Sequence, residues 1–331
     1  MSIDAGFYRA FEERFRGERA EIKQRLQVYR PFLAALREVQ GDAPAIDLGC
    51  GRGEWLEVLR EAGIPARGVD LDEGMLAACR EAGLAAENRD ALAELGSLPA
   101  ESHALVSAFH VVEHLPFEAV HELVREALRV LRPGGLLVME TPNPENLMVG
   151  TAAFYMDPTH RRPIPPGLLA FVTEHYGFAV SKVLRLQEPA WLVGHPAPIL
   201  WNVLRDTSPD YAVVAQKGGP VDAMAPFRPL FEKEYGLTLE TLSNGYDAQV
   251  SVRIRMAEDQ GRHGVFLAEQ AQARCAESER LVQDAQQLAR DAQVRAQQAE
   301  AHIQQMVSSR SWRITAPLRA VVDAFSRLGR R

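Results

Sequence analysis

Between residues 43 and 140, short apolar runs alternate with amphipathic stretches over connections of a few residues, which limits this region to a parallel sheet covered by helices. Ala45-Ile46-Asp47-Leu48 reads as a strand that ends in glycines, and Glu54 to Ala62 as a helix. Arg67 to Leu71 is the next strand and Glu73 to Glu81 the next helix. Leu84 to Glu87 supplies a short third strand and Ala104 to Phe109 a fourth. Phe117 to Leu131 reads as a helix stopped by Pro133-Gly134-Gly135, with Leu136 to Glu140 as a fifth strand. Parallel strands cannot be joined by hairpins, so each crossover carries a helix and both sheet faces become buried. Phe178 to Leu186 and Tyr211 to Ala215 read as two late strands, near enough to pair antiparallel at the sheet edge.

The flanks follow other periods. Residues 5–40 read as helix, with Ile22, Leu26, Tyr29, Leu33 and Leu36 on one face, and Pro31 predicts a break near Tyr29-Arg30. Residues 141–176 are rich in proline and aromatics, and 225–247 are mixed. From Arg253 to Ser309, Ala, Gln, Glu and Arg dominate without proline, which predicts a long helix. Leu267, Leu281 and Leu288 fall on heptad spacing, with Ala271, Ala285, Ala292, Ala299 and Met306 beside them, although Arg274, Arg295 and His302 interrupt the seam. Residues 310–331 carry six arginines against one Asp, with Leu318, Val321, Val322, Phe325 and Leu328 on one helical face. The expected organisation is therefore a helical extension at 1–40, a sheet domain at 41–220, a connecting segment at 221–252, a coiled-coil helix at 253–309 and an Arg-rich amphipathic helix at 310–331.

Composition narrows the partners. Lys and Arg number 37 against 44 Asp and Glu, a net charge of −7, which argues against nucleic acid as the main partner. Cys50, Cys79 and Cys275 show no metal-ligand or disulfide spacing, so no metal is expected and a reducing cytoplasm fits. Asp4, Arg9, Glu12, Glu13 and Arg14 rule against a signal peptide, and the most apolar region, Trp191 to Leu204, is broken by Gly194, His195, Pro196 and Pro198.

Asp47-Leu48-Gly49-Cys50-Gly51-Arg52-Gly53 forms a glycine-rich turn between the first strand and a helix, where backbone can approach a ligand closely. Asp70, at the end of the second strand, can accept hydrogen bonds from both hydroxyls of a ribose. A nicotinamide dehydrogenase and a methyltransferase both use this geometry. Dehydrogenases space their glycines Gly-x-Gly-x-x-Gly, whereas here they fall at 49, 51 and 53.

Together with Gly68-Val69-Asp70, Asp90-Ala91, Val111-Val112-Glu113-His114-Leu115 and Leu131-Arg132-Pro133-Gly134-Gly135, the turn resembles the class I S-adenosylmethionine-dependent methyltransferases over roughly 43–217. The resemblance implies a Rossmann-like, seven-stranded, mostly parallel α/β sheet whose seventh strand inserts antiparallel to its neighbours. It also implies S-adenosylmethionine as cofactor. By that likeness Asp47, Gly49, Gly51 and Gly53 back the methionine moiety, Asp70 and Leu71 hold the ribose side, Asp90 and Ala91 flank the adenine, and His110 lies under the sulfonium.

The fourth strand is followed by Phe109-His110-Val111-Val112 rather than the Asn/Asp-Pro-Pro-Tyr of some exocyclic-amine methyltransferases, so an oxygen acceptor is favoured. Phe154 to Pro163 concentrates His160, Arg161, Arg162 and Tyr155 in a proline-stiffened loop beyond the fifth strand. His160 is the candidate general base or acceptor-orienting group, with Tyr155, Asp157 and Arg161 as substrate-binding candidates. His114 is the second candidate base. Tyr155-x-Asp157-Pro158-Thr159-His160-x-x-Pro163 resembles a subgroup of bacterial methyltransferases encoded with surface-polysaccharide enzymes, many with coiled-coil tails. Ser308 to Arg319 resembles a segment that recurs at the ends of polysaccharide glycosyltransferases and such methyltransferases. This implies methylation of a sugar hydroxyl, a glycosyltransferase partner through the tail, homo-oligomerisation through the coil and weak peripheral contact with the inner membrane. A quinone- or phenol-type small-molecule acceptor and a non-catalytic assembly scaffold are the competing expectations.

Overall fold

The computed structural model describes residues 17–194 and 197–328. The helix expected from residue 5 therefore lies outside the described residues up to 16, as do His195, Pro196 and the last three arginine-rich positions. Two compact units are present, 1–251 and 252–331.

In the first unit the seven strands are β1 (Ala45–Leu48), β2 (Ala66–Asp70), β3 (Ala86–Asn88), β4 (His103–Phe109), β5 (Leu131–Pro142), β6 (Val180–Leu186) and β7 (Asp210–Gln216). Their spatial order is β3-β2-β1-β4-β5-β7-β6. β1 to β5 pair in parallel, and β7 inserts antiparallel between β5 and β6. The expected sheet is thus present, with the two late strands paired as foreseen and the last one lodged inside the edge. β5 starts earlier than expected, directly after Val130. Pro133-Gly134-Gly135 does not separate helix from strand but sits inside β5, where the register against β4 shifts between His103 and Leu105.

Alternate side chains of each strand face opposite layers. Ile46, Leu48, Val106, Ala108, Leu137, Met139, Tyr211 and Val213 pack under α5 (Ala91–Ser97), α6 (Phe117–Val130) and α8 (Pro166–Tyr176). Ala45, Leu105, Leu136, Val138, Ala212 and Val214 face α1 (Arg19–Arg25), α2 (Arg30–Gln40) and α3 (Glu54–Glu61). Pro31 acts as foreseen: Leu26–Tyr29 tightens into a 3-10 turn and α2 starts at Arg30 with proline in its first turn, where the missing N–H costs nothing. Tyr29, 1% exposed, thereby enters the core with edge-on contacts to Trp55 and Phe109. The remaining first-unit helices are α4 (Glu73–Glu81), α7 (Leu147–Thr151), α9 (Leu200–Arg205), α10 (Val221–Met224) and α11 (Arg228–Glu232).

The long helix α12 runs Leu239–Ser308, beginning well before the expected residue 253. Its first turns belong to the first unit, where Leu242 is buried beside Leu192, Val203 and Leu237. From 251 to 314 every residue is exposed. α13 (Arg310–Ile314) and α14 (Ala316–Leu328) follow, joined at a corner where Ser309 caps Trp312 N and the Arg319 guanidinium stacks 3.7 Å over the Trp312 ring. No helix among the described residues is long and apolar enough to cross a membrane.

Candidate functional site

The carboxyl ends of β1, β2 and β4 open onto a cavity of about 820 Å3, at the edge where open α/β sheets take ligands. Because β7 runs antiparallel, its first residue, Asp210, reaches the same edge from a remote part of the chain.

One wall is made by the turn after β1 and by the ends of β2 and β3. Gly49 N and Cys50 N both donate to Val69 O, at 2.8 and 3.0 Å, which folds the turn over β2. Gly49 has φ +69°, and a Cβ there would stand 2.5 Å from Val111 Cγ2, so only glycine fits. Asp70 accepts from Gly51 N through Oδ2 and from Asp72 N through Oδ1, both at 2.8 Å. A carboxylate has about four lone-pair sites, so two remain for a diol. Asp90 caps α5 by accepting from Ala93 N at 2.9 Å, yet also lines the cavity beside Ala91. Leu71, 68% exposed, offers an apolar rim. A nucleotide-like ligand with a ribose fits this wall in size and chemistry.

The opposite wall holds His110, His114, Asp157 and His160. His110 takes a left-handed backbone (φ 55°) at the end of β4, which a non-glycine residue adopts only under constraint. Its Nδ1 lies 3.2 Å from Glu113 Oε1 and its Nε2 3.7 Å from Glu140 Oε1. Burial opposes the charge on His110, but the Glu113 and Glu140 carboxylates outweigh it and raise the imidazole well above its usual value. Burial likewise opposes Glu113, whose carboxyl the His110 partnership nevertheless holds below the usual range. Glu140 also accepts from Tyr29 Oη and, at 3.2 Å, from Gln187. Asp210, beside this group, is pushed up to about 6, first by burial and then by Glu140 and Glu113, against the pull of His110.

The loop beyond β5 folds in beneath. His160 Nδ1 donates to Phe154 O at 2.6 Å, and its side chain is 12% exposed. Thr159 Oγ1 donates to Asp157 Oδ1 at 2.6 Å and lies 2.8 Å from His114 Nδ1. Burial, the largest effect, lowers the His114 imidazole.

Gly49, Gly51, Asp70, Leu71, Asp90, Ala91, His110, Asp157 and His160 thus share one cavity. Four expected residues lie elsewhere. Asp47 accepts from Ser107 Oγ at 2.7 Å and lines a small adjoining cavity of about 80 Å3, with Arg25 and Glu140. Gly53 starts α3 at φ +84°, where a Cβ would meet Leu84 and Cys79, so its glycine serves packing. Tyr155 is 61% exposed and lines neither cavity. Arg161 is spent on structure: its Nε donates to His114 O and its N to Glu113 O, both at 2.9 Å. Arg162 lies over the Phe117 ring. Arg25, Phe109, Met156 and Asp210 also line the large cavity and carry no local motif by which sequence reading could have found them.

A family model described as a methyltransferase domain matches residues 46–139. A probable S-adenosylmethionine-dependent methyltransferase of Mycolicibacterium smegmatis is 34% identical over 140 residues, covering 42% of this chain and 53% of that protein. A ubiquinone biosynthesis O-methyltransferase of Methylococcus capsulatus is 37% identical over 105 residues, 30% of this chain and 43% of that protein. A trans-aconitate 2-methyltransferase of Sinorhizobium medicae is 36% identical over 147 residues, 43% of this chain and 51% of that protein. The chain spans about half the length of the curated relatives it matches. A crystal structure of a SAM-dependent methyltransferase from Archaeoglobus fulgidus superposes with a TM-score of 0.57 at 34% identity, covering 64% of this chain and 100% of that one. A relative matched over its whole length at such identity leaves no room for the dehydrogenase alternative: the chain belongs to the S-adenosylmethionine-dependent methyltransferases.

Proposed function

We propose that the protein is an O-methyltransferase that transfers a methyl group from S-adenosylmethionine to a sugar hydroxyl of a surface polysaccharide or its lipid-linked intermediate. The observation that carries the oxygen acceptor is the single cavity in which the Gly49–Asp70–Asp90 wall faces the His114–Asp157–His160 wall. The cofactor, when bound, supplies a methyl group on a sulfonium, already a strong donor. The protein's part is to align the acceptor oxygen with the methyl–sulfur axis and to exclude water. Asp70 and Leu71 hold the ribose side and Asp90 with Ala91 the adenine side, while Gly49 and Gly51 give the methionine portion backbone to lie against. His110, between two carboxylates, closes the sulfonium end. His160 engages the acceptor hydroxyl through Nε2, as its base or its orienting partner, because Nδ1 is fixed on Phe154 O. Asp157 holds Thr159 and through it His114, so its part is to position that wall.

The sugar acceptor is supported by the likeness of the 155–163 loop and of the 308–319 segment to the surface-polysaccharide subgroup. The tail would then recruit a glycosyltransferase and the coil would pair copies of the chain, at the cytoplasmic face of the inner membrane. A small-molecule phenol is the second reading, favoured by the ubiquinone biosynthesis O-methyltransferase among the relatives. Radiolabelled methyl transfer from S-adenosylmethionine to the polysaccharide intermediates of the parent cell should label glycan, and Asp70→Ala should abolish the label. Label on a quinone or phenol, with none on glycan, would replace the sugar by the second reading. Failure to bind S-adenosylmethionine in calorimetry would leave only a scaffold.

A further inference from the structure

We propose that Glu113, His114 and His160 form a divalent transition-cation site, which opens to the cavity through the two histidines, with Glu113 buried behind them, and receives the acceptor's hydroxyl oxygen. The inference rests on the hydroxyl acceptor argued above and narrows the part of His160: its Nε2 orients the acceptor through the cation instead of taking the proton directly. One ligand atom of each of the three residues lies within 4.8 Å of those of the other two. The rings of His114 and His160 sit with centroids 4.7 Å apart.

The hydrogen bonds around the two rings fix their lone pairs. A carbonyl oxygen can only accept, so His160 Nδ1 carries its proton toward Phe154 O, and the lone pair of the neutral ring is on Nε2, 3.9 Å from Asp157 Oδ2. Thr159 has one hydroxyl hydrogen, and it goes to Asp157 Oδ1. Thr159 Oγ1 must therefore accept from His114 Nδ1, which leaves His114 Nε2 unprotonated as well. Neither Nε2 has a partner within hydrogen-bond distance among the described residues; Asp157 Oδ2 stands beyond that distance, 3.9 Å from His160 Nε2. Two imidazoles with Nδ1–H anchored on a carbonyl and on a hydroxyl–carboxylate relay are the outer-shell arrangement that orients metal-binding histidines. Glu113, fully buried, adds the negative charge, its oxygens held at 3.2 Å by His110 Nδ1 and at 2.9 Å by Thr141 Oγ1.

A second group, His110, Glu140 and Asp210, is equally close-set but lacks this property. Both nitrogens of His110 face carboxylates, so the ring is a donor on each side and offers no lone pair. Two imidazoles and one carboxylate suit zinc, manganese or cobalt rather than magnesium or calcium, and leave positions open for solvent or acceptor oxygen.

The test uses the full chain, stripped with chelator and titrated with Co2+, whose visible absorption reports nitrogen and carboxylate ligation. One equivalent should bind with a visible band. His160→Ala and His114→Ala should each weaken binding by roughly 100-fold, and Thr159→Val, which removes only the relay, by about 10-fold. Calorimetry with S-adenosylmethionine on the same variants verifies the fold. Absence of the band, or variants that bind Co2+ as tightly as the parent, would overturn the site. Methyl transfer to a hydroxyl that proceeds in chelator with no cation bound would remove the site and leave the function standing. Cation binding without any hydroxyl methylation would do the reverse.

Discussion

Asp70 holds two backbone amides before any ligand arrives, and this double duty sets what its removal should cost. Asp70→Ala frees Gly51 N and Asp72 N and deletes the ribose acceptor, so cofactor affinity should fall by roughly 10- to 100-fold, or about 1.5–3 kcal/mol. Calorimetry checks it, and an unchanged affinity would mean that the carboxylate only shapes the turn. Gly49→Ala should destabilise the domain by about 1–3 kcal/mol, because the new methyl collides with Val111 and the backbone is left-handed. Adding Val111→Ala should recover the steric part alone, read as partial recovery of Tm. These positions were legible because the turn's chemistry is local: strand, glycines and helix follow within a dozen residues. Arg25 and Asp210 were not, since each reaches the cavity only through the packing of elements far apart in sequence. Tyr155 and Arg161 stand off the cavity for the opposite reason, as composition marks a loop but not which of its side chains turn inward.

At the scale of elements, periodicity located the strands because burial on both faces leaves near-continuous apolar runs. The start of β5 was hidden because Pro133 and Gly134 usually punctuate, whereas here the irregular β4–β5 register absorbs them. The start of α12 was hidden because Gly245 and polar neighbours mask a turn pinned by Leu242. His103, first residue of β4, carries a pH dependence that follows from its place. Burial first, then the guanidinium groups of Arg67 and Arg132, lower its imidazole from the ordinary 6.5 to about 4. Between those values the unfolded chain binds a proton that the fold refuses, so stability is full above about pH 6.5 and lost as pH falls toward about 4. His103→Gln should flatten that limb of Tm against pH. Parallel curves for variant and parent would show that His103 does not contribute.

At the scale of the whole molecule, the chain's chemistry and its tail are separable. Every residue that lines the two cavities falls before 251, and nothing from 251 to 314 is buried. A chain ending at Ser251 should bind S-adenosylmethionine as tightly as the full chain, since it keeps Leu242 and its apolar partners. A long helix with no packed face draws its stability from association, and Leu267, Leu281 and Leu288 stand exposed at heptad spacing. Sedimentation should therefore give an oligomer for the full chain and a monomer for the shortened one. A monomer in both cases would end the coiled-coil proposal. The terminal helices allow a sharper separation. Leu318, Val321 and Phe325 are exposed, and Arg319 is drawn back over Trp312 rather than outward. So short an apolar face binds lipid weakly by itself, but an oligomer would present several at once. Flotation with anionic vesicles should thus carry the full chain, leave behind a chain lacking 310–331, and fail for a monomeric variant with its three heptad leucines changed to Lys. Equal flotation with and without 310–331 would remove the membrane role and leave the segment to a protein partner.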